Sequence, residues 1–291
     1  MNGPDAIDNV GLEQLLFGIR PRLHRFCARM LGSSIDGEDV VQDAVLKALE
    51  AFPRQSGIVN LEAWMFRIAR NAALDFLRRR NREPLVPVDE DADFADPYMD
   101  TERGLQAASS LRQFMRLPPA QRASVILMDV IGYSLEEVAD ILETTVPAVK
   151  AQLHRGRERL QRFAGEPAAA PLAALPEIEQ RRLVNYVERF NARDFDALRV
   201  LLAEDVRLDV KGERLHGRAV REYFHRYAGM REMPRLGAAI IEGQAVALAY
   251  HGDTLLYFVA FDWRGGEITK ILDFRYAPYV LDLVSVVPLA A

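Results

Sequence analysis

Cysteine is nearly missing from this sequence of 291 residues: Cys27 stands alone, so no internal disulfide can form. His24 is its one near neighbour of ligand type, which gives a metal site little support. The expected role of Cys27 is a small buried side chain in an arginine-rich helical run. Long apolar runs are missing as well. No stretch approaches the roughly 18 consecutive apolar residues of a membrane-spanning helix. The opening residues MNGPDAIDNVG hold no basic segment followed by an apolar core, so a cytoplasmic protein without a secretory signal is expected. No internal repeat is visible.

What is present is a globular composition, with 49% hydrophobic and 27% charged residues. The length suits two or three domains. The net charge of -5 hides an asymmetry. Residues 10–82 carry 12 basic against 8 acidic residues, a net of +4. Residues 83–110 carry 1 against 8, a net of -7, and residues 111–163 carry 8 against 6, a net of +2. Two mildly basic blocks thus flank one acidic segment.

The first block, 10–82, reads as helical. Leu12, Leu15, Leu16 and Ile19 recur at helical spacing, as do Val40, Val41, Ala44, Val45, Ala48 and Leu49. Gly32-Ser33-Ser34 and the stretch Pro53 to Gly57 interrupt it as loops. In LEAWMFRIARNAALDFLRRR (61–80), Leu61, Trp64, Ile68 and Ala72 line one face, and Arg67, Arg70, Asn71 and Arg78 fall elsewhere. Residues 83–104 hold three prolines, many acids and no period, which predicts a mobile linker. A second helical block, 105–165, runs into the Pro/Ala connector EPAAAPLAALP. The last block, 177–291, begins with helices near 177–192 and 194–203 and, after a short extended stretch, a third near 217–228. Runs of β character follow at 238–242, 245–251, 255–263 and 268–276, with Gly243, Gly252 and Gly265-Gly266 as turns. That order predicts an α+β domain.

The sharpest constellation is SLEEVADILETTVPAVKAQLHRGRERLQR (134–162). Ser134 with Glu137 forms a capping box, and Leu135, Val138, Ala139 and Leu142 give the helix its apolar face. Glu143-Thr144-Thr145 is a short polar turn, with Pro147 in the first turn of the next helix. That helix carries Val146, Val149, Leu153 and Leu160 inward and presents Lys150, Gln152, His154, Arg155, Arg157 and Arg159 outward. Two helices joined by such a turn, the second basic, form a unit that enters a major groove. Gln and Arg read base edges there, and Lys contacts phosphates. A solvated charged face in an ordinary bundle remains the alternative for this segment alone. For 64–80, the terminal arginines could equally complement the helix dipole. Two basic surfaces on one tether nevertheless suit two DNA elements at a spacing.

These residues resemble the extracytoplasmic-function sigma factors of bacterial RNA polymerase. WMFRIARNAALDFLRRR resembles the family's minus-ten recognition helix, and DVVQDAVLKAL (39–49) its polymerase-clamp segment. LPPAQRASVILMDVIGYSLEEVADIL with VPAVKAQLHRGRERL resembles its minus-thirty-five reader. The resemblance covers about residues 10–163. It implies polymerase contacts by Asp39, Val41, Gln42 and Asp43, and minus-ten contacts by Asn60, Arg67, Arg70, Asn71, Asp75 and Arg78. The loop 56–60 would hold a flipped base, since melting a duplex requires a site for an unstacked one. Lys150, Ala151, Gln152, His154 and Arg155 match the major-groove face, with Gln152 departing from the arginine often found there. The acidic linker matches a connector that runs through polymerase channels, although a merely soluble tether fits too. No catalytic constellation and no cofactor are implied, because bond formation belongs to the polymerase.

The remainder resembles a SnoaL-like domain, an α+β cone of helices on a curved sheet, most clearly in YVERFNARDFDALRVLLAEDVRLDV (186–210). The expected architecture is therefore two all-α domains, 10–82 and 105–165, followed by this cone at 177–291. His216, Tyr223, Asp262, Asp273 and Arg275 are candidates to line its cavity. Asp273 and Arg275, two apart, are expected on one sheet face, as a cavity pair or a structural ion pair. Tyr257 and Phe261 share a face as core. The resemblance implies a regulatory role, with a small-molecule ligand or a regulatory partner, more than catalysis. The apolar tail 279–290 is expected to dock on a neighbouring domain. Two other classes stay open: a regulator that binds DNA without polymerase, and a SnoaL-type enzyme fused to a DNA-binding module.

Overall fold

The computed structural model describes residues 9–55, 58, 60–80, 114–164, 175–210, 213–228 and 232–289. They divide into two compact units, one holding the described helices up to residue 164 and the other residues 175–289. The acidic segment 83–104 and most of the loop 56–60 lie outside the described residues.

The first unit is helical: α1 (Asn9–Leu31), α2 (Ser34–Ala51), α3 (Leu61–Arg80), α4 (Pro119–Val125), α5 (Leu135–Ile141) and α6 (Val146–Ala164). Gly32, in the left-handed region at φ 76°, ends α1, and Ser33 caps α2 by accepting from the Asp36 amide at 3.1 Å. The two helices approach closely at Gly37, where a Cβ would stand 2.7 Å from Ala28 Cα. α3 is more deeply buried than one apolar stripe predicts, since Ala63, Met65, Phe66, Ala69 and Ala73 are buried along with Leu61, Trp64 and Ala72.

Sequence composition separates the two helical blocks, yet their apolar faces form one continuous core. Phe66 of α3 meets Phe26 of α1 edge-on at 5.7 Å and Tyr133, ahead of α5, edge-on at 5.2 Å. Arg122 of α4 ties the blocks by hydrogen bonds. It is 4% exposed and donates to the carbonyls of Met30, Met115 (2.8 Å) and Leu117 (2.9 Å). The Met30 carbonyl belongs to the last turn of α1, where carbonyls lack helical partners. Burial pulls the Arg122 pKa down to about 10, which leaves it charged at neutral pH. Between α4 and α5 the chain takes a π-helical turn (Ile126–Ile131) closed by Gly132 at φ 90°.

The second unit has α7 (Glu177–Asn191), α8 (Phe195–Val200) and α9 (Arg218–Ala228) with a seven-stranded sheet. Its strands are β1 (Leu202–Val210), β2 (Glu213–His216), β3 (Arg235–Ile241), β4 (Gln244–His251), β5 (Thr254–Arg264), β6 (Glu267–Asp273) and β7 (Val286–Pro288). The spatial order is β2-β1-β6-β5-β4-β3-β7, parallel between β1 and β6 and antiparallel elsewhere. The α+β expectation holds. Glu242 and Gly243 both take positive φ, the backbone that lets two residues close a hairpin between β3 and β4.

Two expectations change. The helix read at 194–203 stops at Val200 and gives way to β1, which the sequence reading reduced to a short extended stretch. The strand read at 268–276 ends at Asp273, so Arg275 lies in a 3₁₀ turn (Phe274–Tyr276) and shares no sheet face with Asp273. The tail supplies a strand to its own unit. Val286 and Val287 pair with Ile241 and Ile240 as the edge strand of their own sheet, where β-branched side chains fit.

Candidate nucleic-acid interface

The helix-turn-helix is built as its residues dictate. Both halves of the capping box form: the Glu137 amide donates to Ser134 Oγ at 3.2 Å, and the Ser134 amide to Glu137 Oε2 at 2.8 Å. Those bonds hold the Glu137 carboxyl below its ordinary pKa. Glu143 turns the chain at φ 52°, and the Thr144 amide closes the corner on the Ala139 carbonyl at 2.9 Å. Val149 and Leu153 face inward, and Gly156 lets α6 approach α4, since a Cβ there would meet Val125 Cγ2 at 2.7 Å.

Lys150, His154, Arg155 and Arg157 are exposed on α6, as expected. Arg157 is held in place by two hydrogen bonds to Asp129, at 2.9 and 2.5 Å. Ala151 is half-buried. Gln152 is the exception. Its Oε1 accepts from Ser124 Oγ at 2.5 Å, so it braces α6 against α4 and does not stand with the outward residues.

On α3, Asn71, Asp75 and Arg78 are exposed, with Arg78 paired to Asp75 at 3.0 Å. Asn60 is exposed and caps α3, its Oδ1 accepting from the Ala63 amide at 3.0 Å. Arg70 is half-buried and reaches Asn71 at 3.4 Å. Arg67 is paired with Glu143 of the helix-turn-helix corner at 3.8 Å. The residues matched to polymerase contact are placed less openly: Asp39, Val41 and Gln42 are buried, and Asp43 is half-buried 3.9 Å from Arg79. Cys27 is fully buried, and burial pushes its thiol far above the ordinary range, as suits an inert core side chain.

Sequence reasoning missed the residues that join the blocks: Arg22, Glu62, Arg122 and Tyr133. Tyr133 carried a legible signal. It sits immediately before the Ser134 cap, where a hydrophobic staple residue is expected.

In the second unit a cavity lies between helices and sheet, lined by Tyr186, Tyr223, Tyr227, Tyr257 and Asp273 among apolar side chains. Tyr223 and Asp273 are where the sequence put them. Arg275 contributes through hydrogen bonds to the Tyr227 and Tyr257 hydroxyls, at 2.8 and 2.7 Å. His216 and Asp262, exposed on β2 and β5, do not line it. Tyr257 and Phe261 are core, as expected. The Asp273 carboxyl accepts from the Arg275 amide at 2.9 Å. Burial raises its pKa, opposed by the nearby Arg275 guanidinium. A raised folded-state value means that the folded chain holds more protons than the unfolded one above the ordinary value of 3.8. Relative to Asp273→Asn, the wild-type unit should therefore lose stability as pH rises from about 4 into the window of the raised pKa. Thermal melts of both proteins across that range check the sign; a difference that is flat or grows with pH contradicts it.

Among the described residues, no helix is long and apolar enough to cross a membrane, and no cluster of His, Cys, Asp and Glu could hold a metal ion. Family profiles match two parts of the chain, Sigma-70 region 2 at residues 18–83 and Sigma-70 region 4 at residues 111–160. The ECF RNA polymerase sigma factor SigG of Mycobacterium tuberculosis is 32% identical over 207 residues, 62% of this chain and 55% of SigG. The chain thus spans about half the length of that relative. SigM of the same species, also an ECF RNA polymerase sigma factor, is 33% identical over 160 residues, 55% of this chain and 80% of SigM. The crystal structure of M. tuberculosis extracytoplasmic function sigma factor SigJ aligns over 91% of this chain and 99% of its own, at 19% identity and a TM-score of 0.36. With two region matches in order on the helices that carry the basic faces, and with SigM covered over four-fifths of its length, the chain belongs to the family of ECF RNA polymerase sigma factors.

Proposed function

We propose that the chain binds core RNA polymerase, recognises two promoter elements and promotes strand opening for transcription initiation. The observation that carries the reading is the basic faces of α3 and α6, one in each matched region. In this reading Arg67, Arg70, Asn71, Asp75 and Arg78, with Asn60, serve the minus-ten element. Lys150, His154 and Arg155 serve the minus-thirty-five element, with Ala151 beside them. Asp39, Val41, Gln42 and Asp43 serve the polymerase. The work belongs in the cytoplasm, where polymerase and DNA are. It calls for no cofactor, and the protein is not an enzyme.

The second unit acts as a SnoaL-like regulatory domain that biases how the readers are arranged. A shift of a few kcal/mol in differential contact suffices for that. Its cavity has a structural role or senses a small ligand; the mutual bonding of Asp273, Arg275, Tyr227 and Tyr257 favours the structural one. A regulatory partner acting through this domain belongs to the same reading.

The test is transcription in vitro with purified core polymerase and a genomic promoter library, using the full chain and a truncated chain ending at Gly165. Specific initiation by either is expected, and their difference gives the sign of the second unit's effect. No binding to core by either protein would sink the reading.

A further inference from the structure

Arg157 stands among the outward cations of α6 but outside the set matched to the major-groove face, Lys150, Ala151, Gln152, His154 and Arg155. Seven residues after Lys150 and three after His154, it lies on their stripe of the helix. The three side chains line one open groove with Met128, Leu135 and Leu153. The Arg157 guanidinium is held by Asp129 of the π-helical turn, Nε to Oδ2 at 2.9 Å and Nη2 to Oδ1 at 2.5 Å. The two residues are 28 apart in sequence, so the fold and not helix spacing brings them together. The carboxylate next to Arg157 in sequence, Glu158, is engaged with Arg162 at 3.3 Å.

A guanidinium has five N–H donors, and Asp129 takes two of them along the Nε edge. Both Nη1 hydrogens and the second Nη2 hydrogen are left. They form the fork that matches two oxygens of one phosphate. Position on the helix favours backbone over base. A recognition helix reads base edges with its N-terminal residues. Arg157 is eleven residues past Val146, about 16 Å along the axis, beyond Lys150, His154 and Arg155.

We propose that Arg157 is a phosphate contact of the minus-thirty-five reader and that Asp129 is its positioning residue, holding the guanidinium by one edge so that the other meets the DNA backbone. The inference rests on the reading of α6 as a DNA reader. A loose arginine must give up its rotamers when it grips a phosphate, whereas one already held by a carboxylate has lost them before the encounter. Asp129 also brings a negative charge towards the phosphate. The side chains are 49% and 33% exposed, so water and salt screen that repulsion while the hydrogen-bond geometry stays. The ordering of one long side chain in advance is worth about fivefold in affinity.

Promoter affinity of the complex with core polymerase, measured at several salt concentrations and paired with thermal melts, tests this. Arg157→Ala should weaken binding on every minus-thirty-five sequence tried and make log affinity against log salt shallower by about 0.9, as one missing phosphate contact requires. Arg157→Lys keeps the charge but has no edge to offer the carboxylate, so it should keep the slope and bind about fivefold more weakly. Asp129→Ala should likewise keep the slope and lose about fivefold. Adding Asp129→Ala to Arg157→Lys should cost little further, because the lysine has no orientation left to lose.

An unchanged slope in folded Arg157→Ala overturns the phosphate contact, even if melting shows that the pair braces the π-helical turn. Tighter binding by Asp129→Ala overturns the positioning role, since Asp129 would then compete with the phosphate. Lys150→Ala with Arg155→Ala is the control for the reading itself. If that variant weakens binding and Arg157→Ala does not, this proposal alone falls. If neither weakens it, α6 is not the reader and both fall.

Discussion

Replacing Arg122 with methionine should destabilise the helical unit strongly while leaving the sheet-rich unit's transition in place. The guanidinium is almost fully buried and serves the carbonyls of Met30, Met115 and Leu117. A thioether fills part of the volume and donates nothing. Each carbonyl left without a donor costs about 1–3 kcal/mol. Water entering the site recovers some of this, so the expected loss is about 3–5 kcal/mol, a large part of the stability of a domain this size. Urea unfolding followed by far-ultraviolet circular dichroism should show the helical transition shifted to lower denaturant. The second core shares no residue with the first, so its transition should stay. A loss below about 1 kcal/mol would mean that water replaces the guanidinium at all three carbonyls.

The second large effect concerns which side chains of α6 meet DNA. Lys150→Ala with Arg155→Ala removes two exposed cations, and a base or phosphate interaction of this kind is worth about 1–3 kcal/mol. Promoter affinity of the polymerase complex should fall about tenfold or more. The slope of log affinity against log salt should become shallower by about 0.9 for each phosphate that is no longer neutralised. Thermal stability should hardly move. Gln152→Ala should behave in the opposite way, costing about 1 kcal/mol of stability through the missing Ser124 bond and leaving affinity alone. Binding titrations at several salt concentrations, paired with melts, separate the two behaviours. An affinity loss for Gln152→Ala equal to that of its neighbours would return it to the reading face.

The placement of Gln152 against Ser124 illustrates what the sequence made legible and what it concealed. Capping box, corner and inner stripe of the helix-turn-helix could all be read, because apolar residues at helical spacing mark a buried face. Gln152 follows Val149 by three and precedes Gly156 by four, so helical geometry puts it on that buried face. Its polarity alone suggested otherwise. Asp39 and Gln42 are likewise polar and buried on α2, a burial that their residue types do not announce. β1 was missed for a related reason. In LAEDVRLDV the apolar alternation of Val206, Leu208 and Val210 is interrupted by acids, and Asp209 is fully buried. Arg207 at 2.5 Å and Arg214 at 2.8 Å neutralise it there. A charge that finds its partner only through the fold cannot be recognised from its neighbours in sequence. The shared core of the helical unit was hidden too, since amphipathic periodicity says which face is covered but not by what.

The edge strand of the second unit has a bearing on how that unit can meet other chains. β7 is three residues long and ends in Pro288, which has no amide hydrogen to offer. At the opposite margin β2 is four residues long, with Glu213 and His216 exposed at its ends. Both margins of the seven-stranded sheet are therefore poor templates for a further strand, and stacking of copies into ribbons is discouraged at each end. Whatever this unit recognises, it must do so through side-chain surfaces and not by lending its backbone to another chain's sheet.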